Sequence, residues 1–280
     1  MATLICEDRV TMSDIKQMST PAPTETHFPI SHYDAITTVL TQMEKMGFEH
    51  SDLEIGVSHG ANRCYWLMKV NNDVIAKDWN TVIGGRNSHD KTFSFGLFGG
   101  FETFICSNLQ ATGEVAIRTK HTKKINERIP EMVSIALNRI DRSNQVNQER
   151  INKYKEYFLP SEQQTDYDDI QDDEGRVKIN QSFQSSDFIH DFIIKSMDKG
   201  VISSSHIKYI LDEWRKPKYE EFYPRTAWSL TNCYTEGFKR YKNPAQLYSR
   251  GIILTKMIDK LCNFTAPEME QPSTEEIMVN

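Results

Sequence analysis

The segment from Thr92 to Ser107 restricts the fold of this chain more than any other, because its apolar residues recur at every second position. Phe93, Phe95 and Leu97 alternate with polar or small residues, and the alternation resumes after Gly99-Gly100. Side chains of a β-strand point alternately to its two faces, so a period of two indicates a strand with one buried face. With the glycine pair as a turn, the segment predicts an antiparallel hairpin.

A second hairpin is predicted upstream of this one. The runs Leu53–Ser58 and Arg63–Val70 are rich in apolar and aromatic residues, and the turn-forming residues His59–Asn62 separate them. Downstream, Val115 and Ile117 alternate with charged residues and add a further strand. We therefore expect an antiparallel sheet of about five strands, built from hairpins, with one face wetter than the other.

Apolar residues at helical spacing precede and follow the predicted sheet. The preceding run ends at Gly47, which is a stop signal, and Ser31 or His32 is placed to cap its start. The following run begins at Pro130, which suits the first turn of a helix because it has no N–H to leave unpaired. The spacing therefore predicts an N-terminal helix before the sheet and one long helix that ends near Pro160.

The rest of the chain predicts a helical C-terminal region, so the fold class is α+β. Helical spacing interrupted by glycine and proline predicts four further helices, near Phe188–Met197, Ser203–Trp214, Ala227–Tyr241 and Ala245–Cys262. We expect five segments: residues 1–29 as an extended or disordered arm, 30–160 as an α+β core domain, 161–175 as an acidic linker, 176–264 as the helical C-terminal region and 265–280 as an acidic tail.

The charge of the chain is distributed unevenly along the sequence. The formal net charge is −6, but Ser161–Glu174 carries seven acidic residues and no basic one, and Thr265–Asn280 carries four and none. Without these eleven carboxylates, 28 acidic residues face 33 Lys and Arg, which leaves a formal charge of +5. Because the distribution of charge matters more than its sum, an anionic partner is compatible with this chain.

Several classes of protein are disfavoured by the sequence. Met1–Arg9 reaches three charged residues too soon for a signal peptide, and no stretch approaches the roughly 20 apolar residues of a membrane span. The five cysteines are far apart and show no metal-ligand spacing, so they indicate reduced thiols rather than a disulfide framework or zinc site. We expect a cytoplasmic protein with no membrane partner.

No catalytic or cofactor-binding motif stands out, and we expect a protein that is not an enzyme and needs no cofactor or metal. Ser88-His89-Asp90 has the letters of a hydrolase triad, but neighbouring side chains on a strand cannot converge. Five histidines lack metal-binding spacing and are expected at the surface or at caps rather than as ligands: His59, His89, His121, His190 and His206. Asp90, Glu102 and Glu114 could hold a divalent ion, although a solvated sheet face is the favoured interpretation.

Two stretches combine basic residues with other features. The first, Trp214–Tyr248, interleaves seven Lys and Arg with nine aromatic residues, which fits base stacking or, as the favoured interpretation, a helical core. The second, Arg118–Arg128, has five bases and one acid, which fits a solvated connection or an electrostatic binding site. Arg86 and Lys91 either stand in a polar turn or contact a ligand. The candidate nucleic-acid-binding residues are thus Arg86, Lys91, Arg118, Lys120, Lys123, Lys124 and Arg128.

Five stretches together resemble a known family. Four of them, Thr24–His32, Arg86–Thr92, Cys106–Glu114 and Arg118–Thr122, occur in this order, and Ala227–Glu236 is similar to the C-terminal element of the same family. The family is a phage/plasmid-like one, domain of unknown function 932, and the resemblance covers about residues 24–262. It implies a mobile-element origin and a bacterial host cytoplasm, and it supplies no catalytic residue.

Two functions follow as hypotheses. The first is a phage- or plasmid-encoded nucleic-acid-binding protein that binds or anneals single-stranded DNA, since the order of helix, hairpins and long helix is similar to that of Rad-type and RecT-type strand-annealing proteins. The second is a protein-interaction factor that inhibits a host defence system. The expected partner is accordingly single-stranded nucleic acid or a host protein, and a homo-oligomer is compatible with either hypothesis.

Overall fold

A computed structural model describes residues 8–71, 79–103, 109–160, 186–241 and 244–267. These residues form six strands, eight α-helices and one turn of 3-10 helix at Glu220–Phe222. The strands are β1 (Asp8–Val10), β2 (Glu49–Ser58), β3 (Arg63–Asn71), β4 (Trp79–Ser88), β5 (Phe95–Thr103) and β6 (Leu109–Thr119). The helices are α1 (Met12–Gln17), α2 (His32–Lys45), α3 (Ile125–Asn138), α4 (Ile140–Glu156), α5 (Ser186–Asp198), α6 (Ser204–Arg215), α7 (Ala227–Phe238) and α8 (Pro244–Leu261). The α+β class is confirmed.

The six strands form one antiparallel sheet in the order of the sequence, from β1 to β6. Residues paired directly across neighbouring strands share a face of the sheet. We call the side that carries Tyr65, Arg86 and Arg118 the charged face. The opposite side, which carries Trp66 and Leu97, we call the helix face.

The helix face is covered by α2 and α3, whose apolar sides build one core with it. Ile36 of α2 and Val133 of α3 are buried in the same cluster as Trp66 and Leu97. The side chain of Ser31 caps α2 by accepting from the Asp34 N–H at 2.9 Å, as its position in the sequence predicts. This core includes Ile30 and so holds the sheet beside Thr24–His32, which we call the N-terminal motif segment. The motif segments are this one and the three other stretches of the resemblance before α3: Arg86–Thr92, Cys106–Glu114 and Arg118–Thr122.

A second core joins the other end of the sheet to the C-terminal helices. Trp79 of β4 and Phe101 of β5 belong to one buried cluster with Trp228 and Tyr234 of α7. Helix α7 is buried on nearly all sides, which marks it as the central helix of this region. Helix α8 contacts β6, the edge strand, as α3 and α4 do, and it places Tyr248 against Phe98 on the charged face.

The turn predicted at Gly99-Gly100 is wrong, because both glycines lie inside β5. A Cβ on Gly99 would lie 2.8 Å from the Cβ of Val115, so the glycine makes room for a branched residue on the neighbouring strand. Strand β5 pairs with β4 on one side and with β6 on the other, and β4 is a strand that the sequence pattern did not predict. Its glycines Gly84 and Gly85 lie within the strand, where an added Cβ would collide with the ring of Phe98 or of Trp66.

The predicted long helix is divided into α3 and α4 at Arg139, which ends one helix and begins the other. Helix α3 also starts five residues earlier than expected, so Pro130 lies inside it and leaves one carbonyl of the preceding turn without its usual donor. The helices expected near Phe188, Ser203, Ala227 and Ala245 are present as α5 to α8.

Part of the expected N-terminal arm is folded. Residues 8–17 form β1 and α1, where Thr11 and Asp14 form a capping box and Ile15 is buried in the core of the helix face. The expected acidic linker lies outside the described residues, and so does the tail beyond residue 267. None of the helices described is both long and apolar enough to cross a membrane.

Candidate functional site

Three of the motif segments meet at one buried side chain, Asn87, at the end of β4. Its amide nitrogen donates to the carbonyl of Ile30 and lies 2.9 Å from Nδ1 of His32. Its amide oxygen lies 2.7 Å from Nε2 of His121. Since the amide nitrogen can only donate, His32 accepts at Nδ1 and donates from Nε2 to the carbonyl of Ala61 at 2.9 Å.

Four histidines surround this amide, and we call His27, His32, His89 and His121 with Asn87 the histidine cluster. The rings of His32 and His89 stack at 3.9 Å, and His27 lies 5.0 Å from His121. Burial, assisted by the neighbouring histidines, lowers the pKa of His32 and of His121 to about 4. Both rings are therefore neutral hydrogen-bonding groups at neutral pH.

The position of these histidines corrects the sequence analysis, which placed His89 and His121 at the surface or at caps. They are 7% and 5% exposed. The available signal was that His32, Asn87, His89 and His121 all stand in the stretches that carry the family resemblance. In the described residues, no three His, Cys, Asp or Glu are grouped so as to hold a metal ion.

Ser88, His89 and Asp90 make separate hydrogen bonds, as their adjacency predicts. Ser88 Oγ donates to the carbonyl of Phe93 at 2.8 Å, and His89 Nε2 donates to that of Ile30 at 2.9 Å. Asp90 accepts from the side chain of Arg63 and from the backbone N–H of Thr92. The three side chains thus hold the β4–β5 connection in place rather than meeting around a shared point.

Arg86 and Arg118 come together on the charged face. Each is paired directly with Gly96 of β5, one from β4 and one from β6, so the three residues form a row across the sheet. The guanidinium of Arg86 lies 5.0 Å from the ring of Phe93. Burial lowers the pKa of Arg86, and the nearby charge of Arg118 lowers it further. Neither arginine forms a salt bridge with any described residue.

The other cations of the charged face do have carboxylate partners. Their salt bridges are Arg9–Glu54 at 3.5 Å, Arg63–Asp90 at 2.6 Å, Lys69–Asp52 at 2.9 Å and Lys69–Glu102 at 3.3 Å. Two of the three carboxylates considered for a divalent ion, Asp90 and Glu102, are therefore neutralised by basic side chains. The side chain of Glu114, the third, is outside the described part of the structure.

The remaining candidate residues lie beside the N-terminal motif segment and at the start of α3. Burial lowers the pKa of His27, and the nearby charge of Lys91 lowers it further. Lys123 Nζ lies 5.6 Å from the ring centre of Phe28. Lys120 and Lys124 are exposed and Arg128 is half-buried. Within the described ranges, none of these five basic side chains forms a salt bridge.

The aromatic residues between Trp214 and Tyr248 belong to the core, as the favoured interpretation held. Seven of the nine are buried, including Trp228 and Tyr234. Some of the interleaved arginines lie on aromatic faces, with Arg225 4.4 Å from the ring of Trp214. Buried rings cannot stack on bases, so these seven rings do not form a stacking surface for nucleic acid.

Comparison with known proteins gives one match. The family model described as Domain of unknown function (DUF932) matches residues 25–260. No curated protein and no solved structure matches the chain. The matched range includes every residue of the histidine cluster and all seven candidate basic residues.

Proposed function

We propose that this chain, which belongs to the DUF932 family of domains of unknown function, is a non-enzymatic nucleic-acid-binding protein. Its ligand is single-stranded DNA or RNA, which it binds through phosphate contacts. The phage or plasmid origin and the cytoplasm of a bacterial host, both implied by the resemblance, are part of the same proposal.

The observation that carries the proposal is a group of seven basic side chains without a carboxylate partner in the described residues. All seven lie on residues 86–91 and 118–128, which the histidine cluster holds together around Asn87. Protein surfaces usually neutralise such charges by interspersing acids, as this chain does for Arg63 and Lys69. Basic side chains without carboxylate partners support a polyanion as the ligand. Each phosphate that they neutralise releases condensed counterions, which favours binding.

Rigidity of the motif segments supports the same proposal. Each of two lysines stands two residues after a buried histidine: Lys91 after His89, and Lys123 after His121. The backbone N–H of Phe28 donates to the carbonyl of His121 at 2.9 Å. This hydrogen bond joins the N-terminal motif segment to the segment that carries Lys123. A surface that is held in place before binding loses little conformational entropy when the ligand arrives.

The separate hydrogen bonds of Ser88, His89 and Asp90 support a non-enzymatic role. A triad requires the nucleophile to bond its base and the base to bond a third group. Here Ser88 and His89 donate to different backbone carbonyls. Purified protein is expected to lack nuclease, phosphatase and esterase activity with or without divalent ions, and turnover abolished by His89→Ala at unchanged stability would contradict this.

The proposal is tested by fluorescence anisotropy with labelled oligodeoxythymidine over a range of salt concentrations. Five contacts from Arg118, Lys120, Lys123, Lys124 and Arg128 predict a slope of log affinity against log salt of about −3.5, at roughly 0.7 per phosphate. Changing both Lys123 and Lys124 to Glu should weaken binding and flatten the slope. The matched control changes Lys195 and Lys199, two exposed lysines at the end of α5, to Glu.

Absence of nucleic-acid binding would assign the seven basic side chains to a different partner. If the wild-type chain shows no salt-dependent binding to single-stranded DNA or RNA at micromolar concentration, the nucleic-acid proposal fails. Inhibition of a host defence system through a protein contact is then the better hypothesis. Co-purification of a host protein from nuclease-treated lysate, lost on changing Lys123 and Lys124 to Glu, would identify that contact.

A further inference from the structure

In the row formed by Arg86, Gly96 and Arg118, two arginines flank a glycine on the charged face. Adjacent strands lie about 4.8 Å apart, so the two arginine backbones are separated by roughly 10 Å with a glycine between them. A Cβ built on Gly96 would lie 3.5 Å from Nε of Arg86 and 3.7 Å from Cγ of Arg118. Both arginine side chains therefore lean over the glycine from opposite sides.

The orientation of Arg86 is also fixed by aromatic side chains. Its guanidinium lies 5.0 Å from the centre of the Phe93 ring, and that ring lies 5.5 Å from Tyr65, the residue paired with Arg86 on β3. Tyr65 is buried and Arg86 is half-buried. Since a cation over an aromatic face is held by the ring quadrupole, Arg86 is ordered before any ligand binds.

The charge of the pair is uncompensated within the described residues. Two guanidinium groups at short range repel each other, and the partial burial of Arg86 reduces screening by water. The carboxylates of the same face whose side chains are described, Glu54, Asp90, Asp52 and Glu102, pair with Arg9, Arg63 or Lys69. An anion between the two guanidinium groups would remove this repulsion.

We propose that Arg86, Gly96 and Arg118 form a phosphate-binding cradle that holds one tetrahedral phosphate group between two guanidinium groups. Planar guanidinium groups match phosphate oxygens with paired N–H donors, which a lysine cannot do. Gly96 contributes by having no side chain, because any side chain there would occupy the space between the donors. This inference rests on the proposed function for the source of the phosphate, which is a nucleic acid.

The cradle itself is tested with inorganic phosphate on the full chain, by calorimetry and thermal unfolding, against sodium chloride at equal ionic strength. Phosphate should bind the wild type and raise its melting temperature. Arg86→Gln and Arg118→Gln should each weaken this binding on the order of tenfold or more, because each removes charge-assisted hydrogen bonds. Arg9→Gln, on the same row at β1 but paired with Glu54, is the matched control and should bind as the wild type does.

Two further variants separate the cradle from a general attraction of anions. Gly96→Ala keeps both charges, and its methyl group meets neighbours at 3.4 Å or more, so the protein should fold while phosphate binding falls. Arg118→Glu places a carboxylate beside Arg86 and should abolish phosphate binding. If Gly96→Ala binds phosphate as the wild type does, the cradle geometry is wrong.

The source of the phosphate is distinguished with oligodeoxythymidine that carries or lacks a 5′-phosphate. A terminal phosphate is indicated if the 5′-phosphate strengthens binding and Arg118→Gln removes that gain. An internal phosphodiester is indicated if both oligonucleotides bind alike and Arg118→Gln reduces the salt slope by about 0.7.

The cradle and the proposed function fail in different ways. Salt-dependent oligonucleotide binding without any specific effect of inorganic phosphate overturns the cradle and leaves the proposed function standing. Phosphate binding that depends on both arginines, without oligonucleotide binding, overturns the proposed function and leaves a site for a small phosphorylated molecule.

Discussion

At the scale of single residues, Asn87 connects three parts of the chain that are far apart in the sequence. Its amide satisfies the carbonyl of Ile30 and the rings of His32 and His121, which stand 55 and 34 residues away in the chain. An amide offers two donors and two acceptor lone pairs on one short side chain. No other residue type of this size can replace it without leaving a buried polar group unpaired.

We expect Asn87→Ala to destabilise the protein by about 2–4 kcal/mol, because it leaves His32 Nδ1 and the Nε2 hydrogen of His121 buried without a partner. Urea denaturation at neutral pH measures the loss. Asn126→Asp, at an exposed position in the first turn of α3, is the control and should change stability by less than about 0.5 kcal/mol. A loss as small as the control's would show that the cluster does not hold the segments together.

Stability should also depend on pH through the histidine cluster. The pKa values of His32 and His121 lie at about 4 in the folded protein, below the usual 6.5. The unfolded chain therefore binds more protons below pH 6.5, so the stabilisation is full above that pH and declines as pH falls towards 4. His89 acts on both rings, His121 acts on His32 and His27 acts on His121. The charge of Lys91 acts on His27, and that of Asp90 acts on His89.

Unfolding free energies at pH 7.5 and 5.5 test this dependence in a window where carboxylates titrate little. His121→Gln keeps a donor towards Asn87 but cannot be protonated, so it should reduce the difference between the two pH values. His190→Gln, at an exposed position on α5, should leave the difference unchanged. Equal stability of the wild type at both pH values would contradict the low pKa values.

At the scale of elements, α4 and α8 are joined by a buried ionic group. Arg150 of α4, 1% exposed, donates from Nε to Asp259 of α8 at 3.0 Å. The hydroxyl of Tyr154 donates to the same carboxylate at 2.6 Å, and its pKa is raised well above the usual value by burial first and by Asp259 next. This contact holds α8 where it can pack against β6.

Asp259→Ala should cost about 3 kcal/mol or more, because it leaves a buried guanidinium with only part of its hydrogen bonds. Asp212→Ala is the matched control: it removes the exposed i,i+4 pair with Lys208 and should cost about 0.5 kcal/mol or less. Thermal unfolding of the two variants compares them directly. Equal melting temperatures would mean that the buried pair contributes no more than a surface pair.

At the scale of the whole molecule, the sheet and the C-terminal helices depend on each other. Trp79 and Phe101 of the sheet share one buried cluster with Ile151 of α4 and with α5 to α8. A fragment of residues 8–160 should therefore expose this cluster and lose cooperative unfolding, which dye binding and near-ultraviolet circular dichroism would detect. A chain that ends at residue 267 keeps every described element and should unfold like the full protein.

Local patterns in the sequence were sufficient for most of the elements. Helices α5 to α8 follow from apolar spacing and from the glycines and prolines between them, since helix formation depends on residues three and four positions apart. The cap at Ser31 and the burial of Trp228 and Tyr234 follow from equally local signals. The same approach failed at Gly99, where a glycine pair that is compatible with a turn lies in a strand.

Only the tertiary structure decided what the glycines and charges do. In the fold, Gly99 leaves room for Val115 of the next strand, and Asp90 pairs with Arg63. The motif segments, separate in the sequence, meet only when the sheet brings Asn87 to His32 and His121. Periodicity is a property of neighbouring residues, whereas partners far apart in the chain are chosen by packing, and so the sequence determined the elements and the fold determined the site.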